Sequence, residues 1–528
     1  MKTIWHNALF YTMQTEGQTI EALLTENGKI TAIGSYDELE DQAEKSVDLQ
    51  GAVVYPGFID NHMHVIGQGE KLLRLDLSHA DSSDEMMDML LRAYPDLAED
   101  EWFIGEGWDE NNFPDKKIFT RHELDHVTSS PMLLKRTCWH AAVVNTKALE
   151  LAGITKDTPD PADGVIVRDN DGEPTGLLKE GAMQYVLQLL PEPSEAYVTK
   201  ALQTSIDHLL SVGLTGVVTD DLGYYGDYKI PLQAFHNVLG NERKFRTYLL
   251  RHFSVFQQLM DDQAAYKDPW VEPGEMKFFI DGAFGGSTAL LSRPYSDEPN
   301  NIGTAVLTDE ELEERIKLAR KHDEAVAIHM IGDLAVEKAL DVIEKHPAPK
   351  GKRDRFIHVL TLREDLVERM AELPIVLDIQ PAFVPSDFPW VENRLGTDRL
   401  DWSYAWKRLL DKGFICGGGS DAPIEDPNPL LSIHAAIARR KPFDQHEGYL
   451  PNQKISRYEA IQLFTSGAAA TIGKANSRGL LAVGFDADFT ILDRDIFSVE
   501  TDHIPEIAVR MTVVAGEVMY KNKECKLR

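Results

Sequence analysis

Cysteine is scarce in this chain: three in 528 residues (Cys138, Cys416 and Cys525), far apart and odd in number. That argues against a disulfide framework and a cysteine-held zinc knuckle, and it fits a reducing cytoplasm. Any bound metal must then rely mainly on histidines and carboxylates. Long apolar runs are missing too. No stretch of about 18 uncharged apolar residues occurs, which excludes a membrane-spanning helix. Met1 to Phe10 lacks the basic stretch and apolar core of a secretory signal, so none is expected. Positive charge is in deficit, 54 Lys and Arg against 86 Asp and Glu, a formal net charge of −32. Such a field repels phosphate backbones, so no nucleic-acid partner is expected, and it slightly favours neutral or cationic small molecules. Internal repeats and low-complexity tracts are absent.

What is present is core-forming material: 43% hydrophobic residues, enough for a large soluble protein of more than one domain. The first 54 residues read as short strands (Thr3–Trp5, Ala8–Phe10, Ala22–Leu24, Lys29–Ile33), with Asn27–Gly28 as a hairpin turn. Residues 481–528 have the same texture, with Asp488–Leu492 and Val513–Tyr520 strand-like. Both ends together predict one small β-sandwich.

Residues 55–480 read as apolar runs alternating with amphipathic helical stretches, the pattern of parallel βα units. Eight runs are counted: Val53–Ile59, Leu214–Thr219, Arg246–His252, Met276–Asp281, Ala325–Met330, Arg355–Leu360, Ile375–Gln380 and Phe414–Ser420. Eight closes a (β/α)₈ barrel of TIM type, so the fold class is α/β. About 150 residues separate the first two runs, and an insertion of about residues 70–193 accounts for them. It carries its own strand-like pieces, Glu101–Trp108 and Pro131–Arg136, and a helix at Asp84–Leu91.

Polar residues close several of these runs. The first is followed by Asp60–Asn61–His62–Met63–His64, and residues two apart on a strand face one side, so His62 and His64 share a cavity. His329 ends the fifth run, His358 lies in the sixth after Phe356–Ile357, and Asp421 follows Gly417–Ser420 in the eighth. Burying so many polar groups is costly without a shared purpose, and the C-terminal strand ends are where a barrel does its chemistry. A metal site is the reading, with a helix cap as the alternative for Asp421.

The segment Pro56–His64, the histidines of runs five and six, and Gly419–Ser420–Asp421 resemble the amidohydrolase superfamily. Further segments resemble its amidohydrolase-3 branch, the YtcJ-like metal-dependent hydrolases. They are Gly107–Trp108–Asp109, His140 with Val144–Asn145–Thr146, Ile280–Asp281–Gly282, His329–Asp333, Ser420–Pro423 and Gly484–Phe489. The resemblance covers nearly the whole chain and implies a metal-bearing barrel with a composite β-sandwich. It also implies His62 and His64 on a buried divalent metal, His329 and His358 on a more exposed one, and Asp421 touching metal and water. Imidazole suits zinc, one or two ions, though spacing leaves manganese, iron and nickel open. The metal activates a water and polarises the scissile carbonyl, and Asp421 carries the proton to the leaving nitrogen.

Many members of that superfamily bridge two metals with a carboxylated lysine from strand four. Here that is Lys277, costly as an ammonium inside an apolar strand unless it is modified or reaches solvent. Lys179 and Glu180 of the insertion are rivals. Trp108, Asp109, His140 and Asp281, with Asp220 also near the mouth, are candidate substrate contacts, each with a structural role as the alternative. The resulting expectation is a cytoplasmic hydrolase of a non-peptide C–N bond, such as an N-substituted formamide or N-acyl amine. A deaminase, an esterase and a non-catalytic binding relative are the alternatives. A homodimer is expected on base rates alone.

Overall fold

In the computed structural model, eight apolar runs form one parallel sheet whose strands follow each other in sequence order. They are β1 (Phe58–Met63), β2 (Leu214–Thr219), β3 (Arg246–His252), β4 (Val271–Phe279), β5 (Val326–Met330), β6 (Asp354–His358), β7 (Ile375–Ile379) and β8 (Ile415–Gly418). Their β-branched and aliphatic side chains are buried on both faces, as parallel strands covered by crossover helices require. The sheet's two ends meet: beyond β8, the Asp421 N–H donates to the His62 carbonyl at 2.7 Å and the Ser420 N–H to the Asp60 carboxylate. The result is a nearly closed eight-stranded barrel.

The first run divides differently from its sequence reading. Val53–Pro56 ends a long strand, Lys45–Pro56, of the terminal sheet, and β1 starts only at Phe58. An unbroken apolar run hides this break, which falls at Gly57. A Cβ there would stand 2.3 Å from Thr215 Oγ1, so β1 and β2 pack at a distance only glycine permits.

The described residues are 1–93, 102–110, 113–136, 141–161, 164–190, 193–240, 242–262 and 268–523. They divide into two compact units, residues 1–67 with 198–528, and residues 68–197. In the first unit, strands from both termini join in one seven-stranded sheet. Its edge strand Lys29–Gly34 is bridged back at Asp486, so the sheet folds over a core of Trp5, Phe10, Leu23, Phe489 and Met511. The run Val513–Tyr520 is two strands, Val509–Val514 and Glu517–Lys521, because Ala515 and Gly516 turn the chain with positive φ. The second unit has its own six-stranded sheet, including Phe103–Trp108 and Met132–Arg136, and its own apolar core. Among the described residues no helix is long and apolar enough to cross a membrane.

An ionic knot sits within the barrel. Arg355, fully buried, donates to Asp378 at 2.7 Å, to Glu275 at 3.3 Å and to the Thr471 carbonyl at 3.1 Å. Its removal leaves two carboxylates buried side by side. Arg355→Ala is expected to destabilise the protein by about 3–5 kcal/mol, read as a fall in the urea midpoint; an unchanged midpoint contradicts it.

Candidate metal centre

The C-terminal strand ends bring six of the expected residues together: His62 from β1 and His64 just past it, Lys277 from β4, His329 from β5, His358 from β6 and Asp421 beyond β8. His62, His64 and Asp421 offer ligand atoms that all lie within 4.8 Å of one another. Asp421 Oδ1 is 3.5 Å from His62 Nε2 and 3.7 Å from His64 Nε2. The His358 ring stands 5.5 Å from that of His62 and 4.5 Å from that of His329, centroid to centroid. Lys277, with no exposed surface, holds Nζ 3.5 Å from His62 Nε2 and 4.5 Å from the centre of the Phe279 ring. Strand register explains the convergence: Lys277 pairs with Ala327, Phe279 with His329, and Met330 with His358.

Three imidazoles have one nitrogen engaged by an oxygen. His64 Nδ1 lies 2.8 Å from the Asp220 carbonyl, His358 Nδ1 2.9 Å from Gln380 Oε1, and His329 Nε2 3.1 Å from the Gly282 carbonyl. Each acceptor holds the ring N–H and leaves the other nitrogen's lone pair for a cation. Burial pushes the pKa of His62 and His358 well below the ordinary imidazole range, that of His329 to about 3, and that of His64 downward, with Lys277 adding to the effect. Neutral imidazole is the ligating form. His62 Nδ1 is buried without a hydrogen-bond partner. Four neutral imidazoles and a carboxylate fit a divalent transition metal.

Glycines make the Asp421 geometry. A Cβ at Gly417 would lie 2.3 Å from Asn61 Nδ2, and one at Gly419 2.6 Å from the His62 nitrogen. Only bare backbone lets β8 approach β1 closely enough to place Asp421 beside both histidines. Asp421 has φ +56° and is no helix cap; the next helix, Pro429–Ala438, is capped by Asn428. Burial raises its carboxyl pKa to about 7, with Lys277 opposing.

The expected substrate residues fare differently. Trp108 is buried in the 68–197 unit and donates its indole N–H to the Leu134 carbonyl at 3.0 Å, so it offers no open stacking face. Asp109, in the same unit, is paired with Arg136 at 2.7 Å. Asp281 is buried and accepts from the backbone N–H groups of Leu290, Ile331 and Gly332 at 2.8–3.0 Å, shaping loops around the site. His140 lies outside the described residues. Lys179 and Glu180 are exposed side chains of the 68–197 unit. Asp60, Asp221 and His252 were missed. Asp60 binds the Ser420 and His62 N–H groups, and Asp221 those of Val65 and Ile66. Their signal was partly present: His252 ends β3 and Asp221 lies just past β2, whereas Asp60 is inside β1.

A barrel with such donors at its strand ends defines the class: a metal-dependent hydrolase of TIM-barrel type. The chain belongs to the amidohydrolase family, whose model matches residues 45–520. It is 45% identical to the Bacillus subtilis (strain 168) protein YtcJ, which bears the amidohydrolase name, over 99% of this chain and all of that one. It is 25% identical to the N-substituted formamide deformylase of Arthrobacter pascens, over 98% of this chain and 97% of the relative. A solved structure of an uncharacterized metal-dependent hydrolase from Pyrococcus furiosus is similar at TM-score 0.78 and 29% identity. The match covers 94% of this chain and all of that one.

Proposed function

We propose that the chain uses water to cleave the C–N bond of a non-peptide amide, an N-substituted formamide or an N-acyl amine. The observation that carries this reading is the cluster of His62, His64 and Asp421 at the barrel mouth, with the His358 ring beside that of His62 and the His329 ring beside that of His358. The likeness to a formamide deformylase supports the substrate class. His62, His64 and Asp421 would hold one divalent cation, zinc by donor type, and His329 and His358 a second, with Lys277 between them. When bound, the metal supplies Lewis acidity toward water and the carbonyl. Asp421 takes a proton from the attacking water and passes it to the leaving nitrogen, giving a carboxylic acid and an amine.

A panel of N-substituted formamides, N-acyl amines, amidines and esters tests the reaction, with acid and amine measured together. Equal release of the two from an amide is expected. Turnover confined to esters or amidines, or none in metal-loaded protein, overturns the proposal. Elemental analysis of protein purified without chelator should show about one to two equivalents of metal. His62→Ala and His64→Ala should each lose most of it, and full retention in the double variant contradicts the ligand assignment.

A further inference from the structure

A fifth histidine borders the centre and has no place in the ligand set above. His252 ends β3, is 8% exposed, and pairs in register with Lys277 on β4. The next helix, Phe253–Asp261, starts on it: His252 Nδ1 accepts the Ser254 backbone N–H at 3.4 Å and lies 2.8 Å from Ser254 Oγ. With the Ser254 backbone N–H as donor, Nδ1 accepts and a neutral ring holds its proton on Nε2, while the contact with Ser254 Oγ is compatible with either tautomer. Gly223 clamps the ring, since a Cβ at that position would stand 2.4 Å from Nδ1.

The orientation is therefore set on one edge, and the Nε2–H has no hydrogen-bond partner among the described residues. The Tyr224 ring joins this histidine to the centre, 5.3 Å from the His252 ring and 5.7 Å from that of His64. Tyr224 gives its own hydroxyl proton to Asp220 at 2.9 Å, so that proton is committed within the protein.

Resting on the hydrolase reading, we infer that His252 donates its Nε2–H to the carbonyl oxygen of the substrate amide. As the water oxygen bonds to the carbonyl carbon, the C=O π pair moves onto oxygen, and the hydrogen bond strengthens with the charge. When the C=O re-forms, the C–N bond breaks and the amine nitrogen takes the proton held by Asp421. His252 keeps its own proton throughout. A fixed donor that gains strength only as charge develops lowers the barrier without tightening ground-state binding.

Three measurements on the zinc-loaded full chain test this. Nitrogen-15 NMR of histidine-labelled protein, with His252 assigned by difference from the His252→Gln variant, should show the Nε2–H tautomer; an Nδ1–H tautomer overturns the inference. Methylphosphonate, a stable mimic of a tetrahedral anion, should bind wild type, and at least about tenfold more weakly to His252→Ala. Absence of binding to wild type, or equal affinity in the two, overturns it. In steady-state kinetics with the amide found by the panel, His252→Ala should lower kcat by about 10²–10³ with little change in KM and metal content. His252→Gln, whose amide N–H reaches nearly the same place, should recover most of that rate. Metal loss in His252→Ala, or a glutamine variant no better than alanine, overturns it by making the ring a ligand or packing alone. If no amide is turned over, the hydrolase reading fails, while the tautomer and methylphosphonate measurements still decide His252.

Discussion

Asp421→Asn is expected to lower kcat at least about a hundredfold, the usual scale for losing a general acid–base group. The substitution is isosteric, and asparagine tolerates the left-handed backbone that Asp421 adopts at φ +56°. The main-chain bond from residue 421 to the His62 carbonyl is also indifferent to the change. The loss is then confined to one basic oxygen, the atom 3.5 and 3.7 Å from the His62 and His64 imidazoles. Metal content should fall less than in His62→Ala or His64→Ala, because those imidazoles remain. Steady-state assays beside elemental analysis separate the cases. Near-normal activity shows that Asp421 carries no proton, and loss of all metal shows that its role is ligation alone.

Much of this centre is legible in the primary structure for a physical reason. Parallel strands are buried on both faces, so an apolar run ending in one polar residue announces a strand whose last side chain has reached the mouth. His62, His329 and His358 stand out in that way, and Lys277 is conspicuous because an apolar strand has no ordinary use for an ammonium. His252 closes the third run by the same rule and went unread, because its company, Arg251 and Phe253, suggests no ligand. The missing clue is the Ser254 N–H that turns its ring, a backbone contact no residue pattern encodes. Trp108 and Asp281 are the converse case, strand-end residues whose structural alternative the geometry shows. A side chain at a strand end meets either the cavity or the protein's own loops, and composition does not separate the two. For Asp281 the deciding partners are three backbone N–H groups from segments up to 51 residues away. The break between the terminal sheet and β1 was likewise invisible, since Val53–Ile59 is apolar throughout and what divides it is the approach of Thr215 to Gly57.

Lys277→Ala is expected to leave a folded protein that holds at most one metal and has little activity, partly restored by bicarbonate or a short carboxylic acid. A neutral lysine amine adds CO₂ to form a carbamate, releasing one proton and gaining a carboxylate-like anion with an oxygen for each of two cations. The amine must first be unprotonated. Complete burial lowers the Lys277 pKa, although Asp220 and Asp421 oppose that shift. The carbamate then needs nearby positive charge to persist, which two cations on the surrounding imidazoles would supply. Position agrees with this role: Nζ is 3.5 Å from His62 Nε2, and in register Lys277 lies one strand from β5, which carries His329. Lys179 and Glu180 are exposed in the 68–197 unit, whereas Lys277 is enclosed in the barrel that holds the imidazoles. If Lys277 carries the carbamate, alanine would remove that negative charge, and metal held beside it should be lost. Added bicarbonate or propionate can enter the space the side chain vacates, supply the missing charge, and return metal and turnover together. Intact-mass and metal analysis, with a difference map at Lys277 in crystals grown with bicarbonate, give the direct reading. Full metal content in the alanine variant, or an unmodified amine in the fully loaded and active protein, overturns the assignment and makes Lys277 a simple buried cation.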